Sequence, residues 1–414
     1  MATISPFKAV RPEAQYAKLV ASKPYDVLNS KEAKIEAQGN PYSFLHITKS
    51  EIDLPENTDP YSQKVYDTAK ENLDAFISRN VLFKENKPCY YIYQLVMPDK
   101  SNAGNDHVQT GLVCCSSLED YENDVIKKHE FTRPEKEQDR INHIKSTGAQ
   151  TGNVFMAYKS VSEIDDIINK WKKDRSAVYV FISDDIIQHA IWIINDEETI
   201  GKITSLFKQK VPCTYIADGH HRAASAYKAR ENFENASAAG CFLTTLFPAN
   251  QVKIMEYNRV VKDLNGYDEN ELLQKIAEKF TVEKTDGPFQ PGKPHTFGMY
   301  LKNNWYILGV KENTFTNDPE GVLDISILHN NLLQPILGIG DQRTDKRIDF
   351  IGGIRGLAEL ESRVNCGEMA VAFSLFPVSA QQLFDIADSG NVMPPKSTWF
   401  EPKLRDGLLT HMIA

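Results

Sequence analysis

A surplus of basic side chains is missing from this sequence: 47 Lys and Arg stand against 56 Asp and Glu, a formal net charge of −9. Broad binding to a phosphate backbone needs a cationic surface, so a general nucleic-acid coat protein is excluded and only a local basic groove is left open. Long apolar runs are missing too. The most apolar stretch near mid-chain, roughly 186–194, is broken by Gln188 and His189 and is far too short to span a bilayer. The opening residues, MATISPFKAV, show no basic segment followed by an apolar run, so no export signal is expected. Cysteine is scarce and unpatterned. Cys114 and Cys115 are adjacent, whereas Cys89, Cys213, Cys241 and Cys366 are scattered with no CxxC pair. That spacing excludes a disulfide framework and reads as buried structural thiols. The expectation is a soluble, cytoplasmic protein with no membrane and no nucleic-acid partner.

What is present suits a large buried core. Hydrophobic residues make up 41% of 414 positions, and at roughly 150 residues per domain the length allows two to three domains. Residues 1–60 hold Pro6, Pro12, Pro24, Pro41, Pro55 and Pro60, and read as short strands joined by rigid turns. Val65, Ala69, Leu73, Phe76 and Ile77 fall on one face of a helix. The stretches 89–97 and 108–116 read as paired strands around a polar turn at 99–104.

From about Leu118 the pattern becomes βα-like. Helices are expected over 135–146, from Ser162 and over 196–209, with strands at 154–158, 177–183, 186–194 and 214–217. The Gly/Pro-rich stretch 285–295 suits a subdomain joint. The class is mixed α/β, organised as an N-terminal region 1–117, a core 118–285 and a C-terminal region 286–414.

The most informative segment is the strand over 214–217 running into Asp218-Gly219-His220-His221-Arg222 and a helix. Unpaired N–H groups and the positive dipole end at a helix start make an anion site. Gly219 lets a ligand approach the backbone, Arg222 offers a bidentate phosphate clamp, and Asp218 can cap the helix or hold a metal ion. Adjacent histidines point about 100° apart, so His220 and His221 are not a zinc pair of the i, i+4 kind. The structural alternative is a surface helix capped by Asp218 with solvated histidines.

A second segment, Lys128-His129-Glu130-Phe131-Thr132-Arg133-Pro134, precedes a helix. It is not an HExxH motif, since Arg133 and Pro134 stand where the second histidine would. Glu130 beside His129 can act as a general base if its surroundings tune it; otherwise this is a solvated acidic loop. Farther on, Lys396-Ser397-Thr398 after Pro394-Pro395 offers a cation and two hydroxyls on a stiffened loop, or simply leads into a strand. Pro24-Tyr25-Asp26 and Asn40-Pro41-Tyr42 suit pocket walls or plain turns. Ile351-Gly352-Gly353-Ile354-Arg355-Gly356 reads as a strand-to-helix glycine turn, and Gly338-Ile339-Gly340 lacks the third glycine of a dinucleotide fingerprint.

An HE pair before a helix, followed later by a strand ending in DGHHR, resembles the ParB/sulfiredoxin-like nucleotide-binding superfamily, and within it the free-serine kinases. That resemblance implies a ParB/sulfiredoxin-like core elaborated at both ends, with phosphate passing from a nucleotide to the hydroxyl of free L-serine. Glu130 would be the base with His129 nearby, and Asp218, Gly219, His220, His221 and Arg222 would form the phosphate site. Lys396, Ser397 and Thr398 would complete it, with ATP or ADP as cofactor, Mg²⁺ at Asp218 and a small-molecule hydroxyl as acceptor. A homodimer is compatible with this arrangement. The gap from Glu130 to Asp218, 218 minus 130 or 88 residues, is longer than the kinase pattern. The rival reading is a nucleotide switch or NTP hydrolase working through a protein partner. A further one is a hydrolase of phosphorylated metabolites.

End to end, the chain also resembles a bacterial and archaeal domain-of-unknown-function family. The matching pieces are Pro6-Phe7, Arg11-Pro12, Lys23-Pro24-Tyr25-Asp26-Val27, Asn40-Pro41-Tyr42, the HE and DGHHR segments, and Met393-Pro394-Pro395-Lys396-Ser397-Thr398-Trp399-Phe400-Glu401-Pro402-Lys403.

Overall fold

A computed structural model describes residues 1–99 and 106–414, so the turn expected at 99–104 lies, from Lys100 onward, outside the described residues. The chain forms two compact units, one of Met1–Val252 with Pro402–Ala414 and one of Lys253–Glu401. These divisions fall at 252/253 and 401/402 rather than at 117/118 and 285/286. Position 117 ends a central strand of the first unit, and the stretch 285–295 links two strands of a single sheet in the second.

The first unit is built on a mixed nine-stranded sheet. Its strands, in chain order, are β1 (Ile4–Ser5), β2 (Tyr90–Met97), β3 (His107–Ser117), β4 (Ile126–Lys127), β5 (Val154–Tyr158), β6 (Tyr179–Ile182), β7 (Gln188–Ile194), β8 (Thr214–Asp218) and β9 (Cys241–Pro248). They lie in the order β4-β8-β5-β9-β3-β2-β7-β6, with β1 on β3. The pairs β4·β8 and β5·β9 are parallel; the other contacts are antiparallel. Strands such as β2 are buried on both faces, which is why their sequences read as continuous apolar runs rather than alternation.

Five helices matter for the site: α1 (Gln63–Ser78), α2 (Pro134–Thr147), α3 (Ser162–Asp174), α4 (Glu197–Lys210) and α5 (His220–Ala229). Their ends follow local chemistry. Pro134 occupies the first turn of α2, where its missing N–H costs nothing, and Gly148 in the left-handed region (φ 63°) ends it. Asp196 caps α4 by accepting from the Thr199 N–H at 2.8 Å. On one face of the sheet, Ile164 and Ile168 of α3, Ile203 and Phe207 of α4 and Ala223 and Ala226 of α5 share a core with Ile92, Leu112, Met156, Ile216 and Phe242.

Residues 1–60 depart from expectation. They contain only two short strands, β1 and Ala9–Pro12, and are otherwise helical at Ala17–Val20, Ser30–Ala37 and Leu45–Thr48. The prolines here lie outside the α-helical turns, and Asn29 closes a capping box with Glu32 that starts Ser30–Ala37. A small sheet orders Leu82–Lys84, Ala9–Pro12, Thr410–Met412 and Ala149–Gln150, so the last strand of the chain is woven into the first unit.

The second unit carries a six-stranded antiparallel sheet ordered Phe280–Thr285, Asn304–Val310, Thr296–Leu301, Val371–Ser374, Tyr257–Val261 and Ile348–Gly352. Gly352 ends a strand and Leu357–Asn365 is the next α-helix, as the glycine turn suggested. Among the described residues no helix is long and apolar enough to cross a membrane.

Candidate functional site

Two motifs 88 residues apart meet because their strands are parallel neighbours. Thr214 and Tyr215 of β8 pair with Ile126 and Lys127 of β4, so both chains leave the sheet at the same end. One continues into His129, Glu130 and α2, the other into Asp218, Gly219 and α5. Ends of parallel strands that run into helices are where α/β sheets place ligands. A register shift against β5 between Ile216 and Asp218 leaves Ala217 as the extra, unpaired residue, with Asp218 still opposite Phe155. Gly219 follows at φ +97°, and a Cβ there would meet Arg222 Nε at 3.0 Å and Cζ at 3.1 Å. The left-handed region costs an L-residue roughly 1–2 kcal/mol. Gly219→Ala should therefore lose about that much or more in urea unfolding, and an unchanged midpoint would refute the strain.

The acidic side of the site is held by two cations. Lys403 Nζ donates to Asp218 Oδ2 at 3.0 Å, and Arg222 Nη2 lies 3.9 Å from the same oxygen. Burial would raise the Asp218 pKa, but Lys403 and then Arg222 outweigh it and hold the carboxylate well below its ordinary range. Arg222 itself turns inward. Its side chain is 8% exposed, Nη2 donates to Asp26 Oδ2 at 3.2 Å, and Nη1 donates to the Asn153 carbonyl. Burial opposes its charge, yet Asp26, Asp218 and Asp406 together keep it more firmly protonated than a free guanidinium. The Asp406 carboxyl is pushed up to about 7 by burial, against the pull of Arg222. Beside Arg222 lies a cavity of about 30 Å³ bordered by Tyr25, Arg140, His143, Gly152 and Asp406. That volume holds a water and not a nucleotide, since ligand pockets run to several hundred Å³.

The histidines are structural as well as chemical. His129 is 2% exposed, its backbone N–H donates to His220 Nε2 at 3.5 Å, and the two rings meet edge-on at 4.6 Å. Burial lowers His129 to about 4, and burial and then His129 hold His220 well below the usual imidazole range. Both rings are neutral at pH 7. With Nε2 of His220 accepting, its proton sits on Nδ1, which faces Glu130 Oε2 at 3.6 Å. Glu130 keeps 53% of its side chain open to solvent. His221 turns the other way and accepts from the Arg133 N–H at 3.3 Å. The adjacent histidines thus clamp the two ends of the 129–133 loop, which is why they share no ligand.

The buried histidines carry a pH signature. His129 and His143 fall to about 4 and His189 to about 3, all chiefly by burial. Between pH 6.5 and about 4 the unfolded chain takes up these protons and the folded chain does not, so stability falls as pH falls. Asp406 and Asp324, both pushed up to about 7 by burial, work in the opposite sense between about 4 and 7, while His220, held well below the usual imidazole range by burial, adds to the three rings. The urea midpoint of unfolding should be lower at pH 5 than at pH 7; a higher one would contradict the burial of these rings.

Lys396, Ser397 and Thr398 lie in the second unit. There Lys396 Nζ sits 5.5 Å from the Tyr257 ring centroid and Ser397 Oγ donates to the Pro394 carbonyl. The strand that follows, Trp399–Glu401, pairs with Lys253–Met255. The structure thus brings together His129, Glu130, Asp218, Gly219, His220, His221 and Arg222 in the first unit. Sequence reasoning missed the roles of Lys403, Asn153 and Asp406, and read Asp26 only as a pocket wall. Lys403 and Asp26 did lie in segments singled out by the family resemblance; Asn153 and Asp406 gave no signal.

A family model described as "Protein of unknown function (DUF1015)" matches residues 4–326. None of the curated proteins compared matches the chain. Among solved structures, a mutant free serine kinase in complex with AMP aligns at 12% identity over 72% of this chain and 92% of that one, with a TM-score of 0.37. A mutant free serine kinase with ADP aligns at 14% identity over 72% of this chain and 92% of that one, with a TM-score of 0.34. SbnI with a C-terminal truncation, from Staphylococcus aureus, aligns at 10% identity over 71% of this chain and 85% of that one, with a TM-score of 0.38.

Proposed function

Since the chain belongs to the DUF1015 family, whose description assigns no activity, we propose one from the site: phosphoryl transfer from a nucleotide to the hydroxyl of a free amino acid, L-serine first. The observation that carries this reading is a carboxylate and an anion-binding helix start on adjacent parallel strands. Glu130 faces the Nδ1 of a neutral His220 at 3.6 Å, while Gly219 opens the N-terminus of the ten-residue α5 beside it.

Phosphoryl transfer depends on positioning and charge neutralisation more than on covalent chemistry. The free N–H groups at the start of α5 would hold phosphate oxygens, and Gly219 without a Cβ lets them approach. Lys403 adds a cation at the same turn. Arg222 contributes as a positioning residue, fixing Asp218 and Asp26 from behind. Asp218, ionised and 31% exposed, fits a hard cation such as Mg²⁺, which when bound would offset phosphate charge. Glu130 would orient the acceptor hydroxyl and take its proton, with His220 fixing the carboxylate. A ParB/sulfiredoxin-like origin of this core follows from the motif resemblance, a small-molecule kinase suits a cytoplasmic setting, and the net charge of −9 favours small-molecule over nucleic-acid partners.

Phosphorus NMR of the protein with ATP or ADP, Mg²⁺ and a pool of amino acids tests the reading. A new phosphomonoester signal is expected. Free phosphate alone would replace the kinase by a nucleotide hydrolase or switch, and an unchanged spectrum would remove the activity.

A further inference from the structure

We propose that Cys115, Cys241 and His411 form a zinc-binding site that joins the last strand of the chain to the main sheet of the first unit. One donor atom from each of the three lies within 4.8 Å of the others. The residues come from β3, β9 and Thr410–Met412, remote in sequence, so strand pairing and not a local turn brings them together.

The register explains the convergence. Cys115 pairs with Leu243, and Cys241 stands two residues before Leu243. In a strand, residues two apart share a face, so the two thiols are diagonal neighbours on one side of the sheet. His411 pairs with Ala9 on one side and with Gln150 on the other. Gln150 in turn ties this strand to β9, donating to the Cys241 carbonyl at 3.2 Å and accepting from the Leu243 N–H at 2.7 Å. Cys115 is 1% and His411 5% exposed, so two of the donors sit where water competes little for a cation, while Cys241 is half-buried.

The spacing suits a small tetrahedral ion. Ordinary zinc bond lengths place a thiolate sulfur and an imidazole nitrogen about 3.6 Å apart, and two sulfurs about 3.8 Å apart. Cys241 Sγ lies 4.0 Å from His411 Nε2, a fraction of an ångström from that spacing, and the Cys115 sulfur, within 4.8 Å of both, needs to close by about 1 Å at most. His411 Nε2 is also 3.0 Å from the Ala238 carbonyl, itself 3.7 Å from Cys241 Sγ. Zinc would bind the lone pair of that nitrogen, the ring proton shifting to Nδ1, with the carbonyl or a water in fourth position. Two sulfurs and a nitrogen favour zinc over magnesium or calcium, and binding releases the two thiol protons. The role is structural: the ion fastens Thr410–Met412, only a few residues beyond Lys403 and Asp406.

The test is a Co²⁺ titration of the full chain, reduced and freed of metal. One equivalent should produce a thiolate-to-cobalt charge-transfer band in the near ultraviolet, abolished by an equivalent of Zn²⁺. Cys115→Ser and His411→Gln should each weaken Co²⁺ binding at least ~10- to 100-fold, the loss that even outer-shell changes produce. Cys366→Ser, at an exposed thiol, should leave it unchanged. Circular dichroism separates lost binding from lost folding, and the titration of the unaltered chain stands without any variant. Absence of the band in that chain, its persistence in Cys115→Ser/Cys241→Ser, or a Cys115–Cys241 disulfide forming despite equimolar Zn²⁺ would overturn the site.

Discussion

Glu130→Gln should lower the rate of phosphoryl transfer by ~10²- to 10⁴-fold while leaving nucleotide affinity nearly unchanged. The split follows from geometry. Glu130 faces His220 Nδ1 and keeps half its side chain open, whereas the phosphate-binding groups of α5 belong to Gly219 and the residues after it. Glutamine keeps the size and one hydrogen-bond acceptor but cannot take a proton. Steady-state turnover and calorimetric nucleotide binding, measured on the same preparation, check it. Equal turnover of variant and parent would remove Glu130 as the base; equal loss of binding and turnover would make it a nucleotide ligand.

Arg222→Ala should destabilise the first unit by about 3–5 kcal/mol, the cost of stripping one partner from a buried ion pair. The guanidinium faces Asp26, Asp218 and Asp406, and of these Asp406 is 1% exposed. Without Arg222, the carboxyl of Asp406 should rise above about 7, because burial already pushes it there against that cation. Chemical unfolding followed by tryptophan fluorescence reads the loss. A variant as stable as the parent but unable to bind nucleotide would return Arg222 to the outward-facing clamp that the sequence suggested.

The difference between those two pictures of Arg222 shows where the sequence stops being legible. The strand over 214–218 and its turn into a helix could be read directly, because an apolar run meets Asp-Gly and then an alanine-rich periodic segment. Helices α2 to α4 could be read for the same reason, with Pro134 and Asp196 marking starts. The direction of the Arg222 side chain could not. It depends on Asp26, Asn153 and Asp406, and Lys403 reaches Asp218 across 185 positions, pairings that no local pattern encodes. Residues 1–60 are less legible because their prolines mark strands and turns, while capping at Asn29 and packing of Phe44, Leu45 and Ile47 make helices between them. The glycine and proline cluster at 285–295 suits a joint because breakers mark loops, but breakers do not tell a loop within a sheet from one between units.

The central claim, that nucleotide phosphate sits on the backbone amides at the Gly219 turn, is tested most directly by a crystal structure soaked with ADP and Mg²⁺. The phosphate density should lie against the N–H groups of His220 and His221, within reach of Lys403 and beside Glu130. Phosphate density at any other place on the chain would contradict the account.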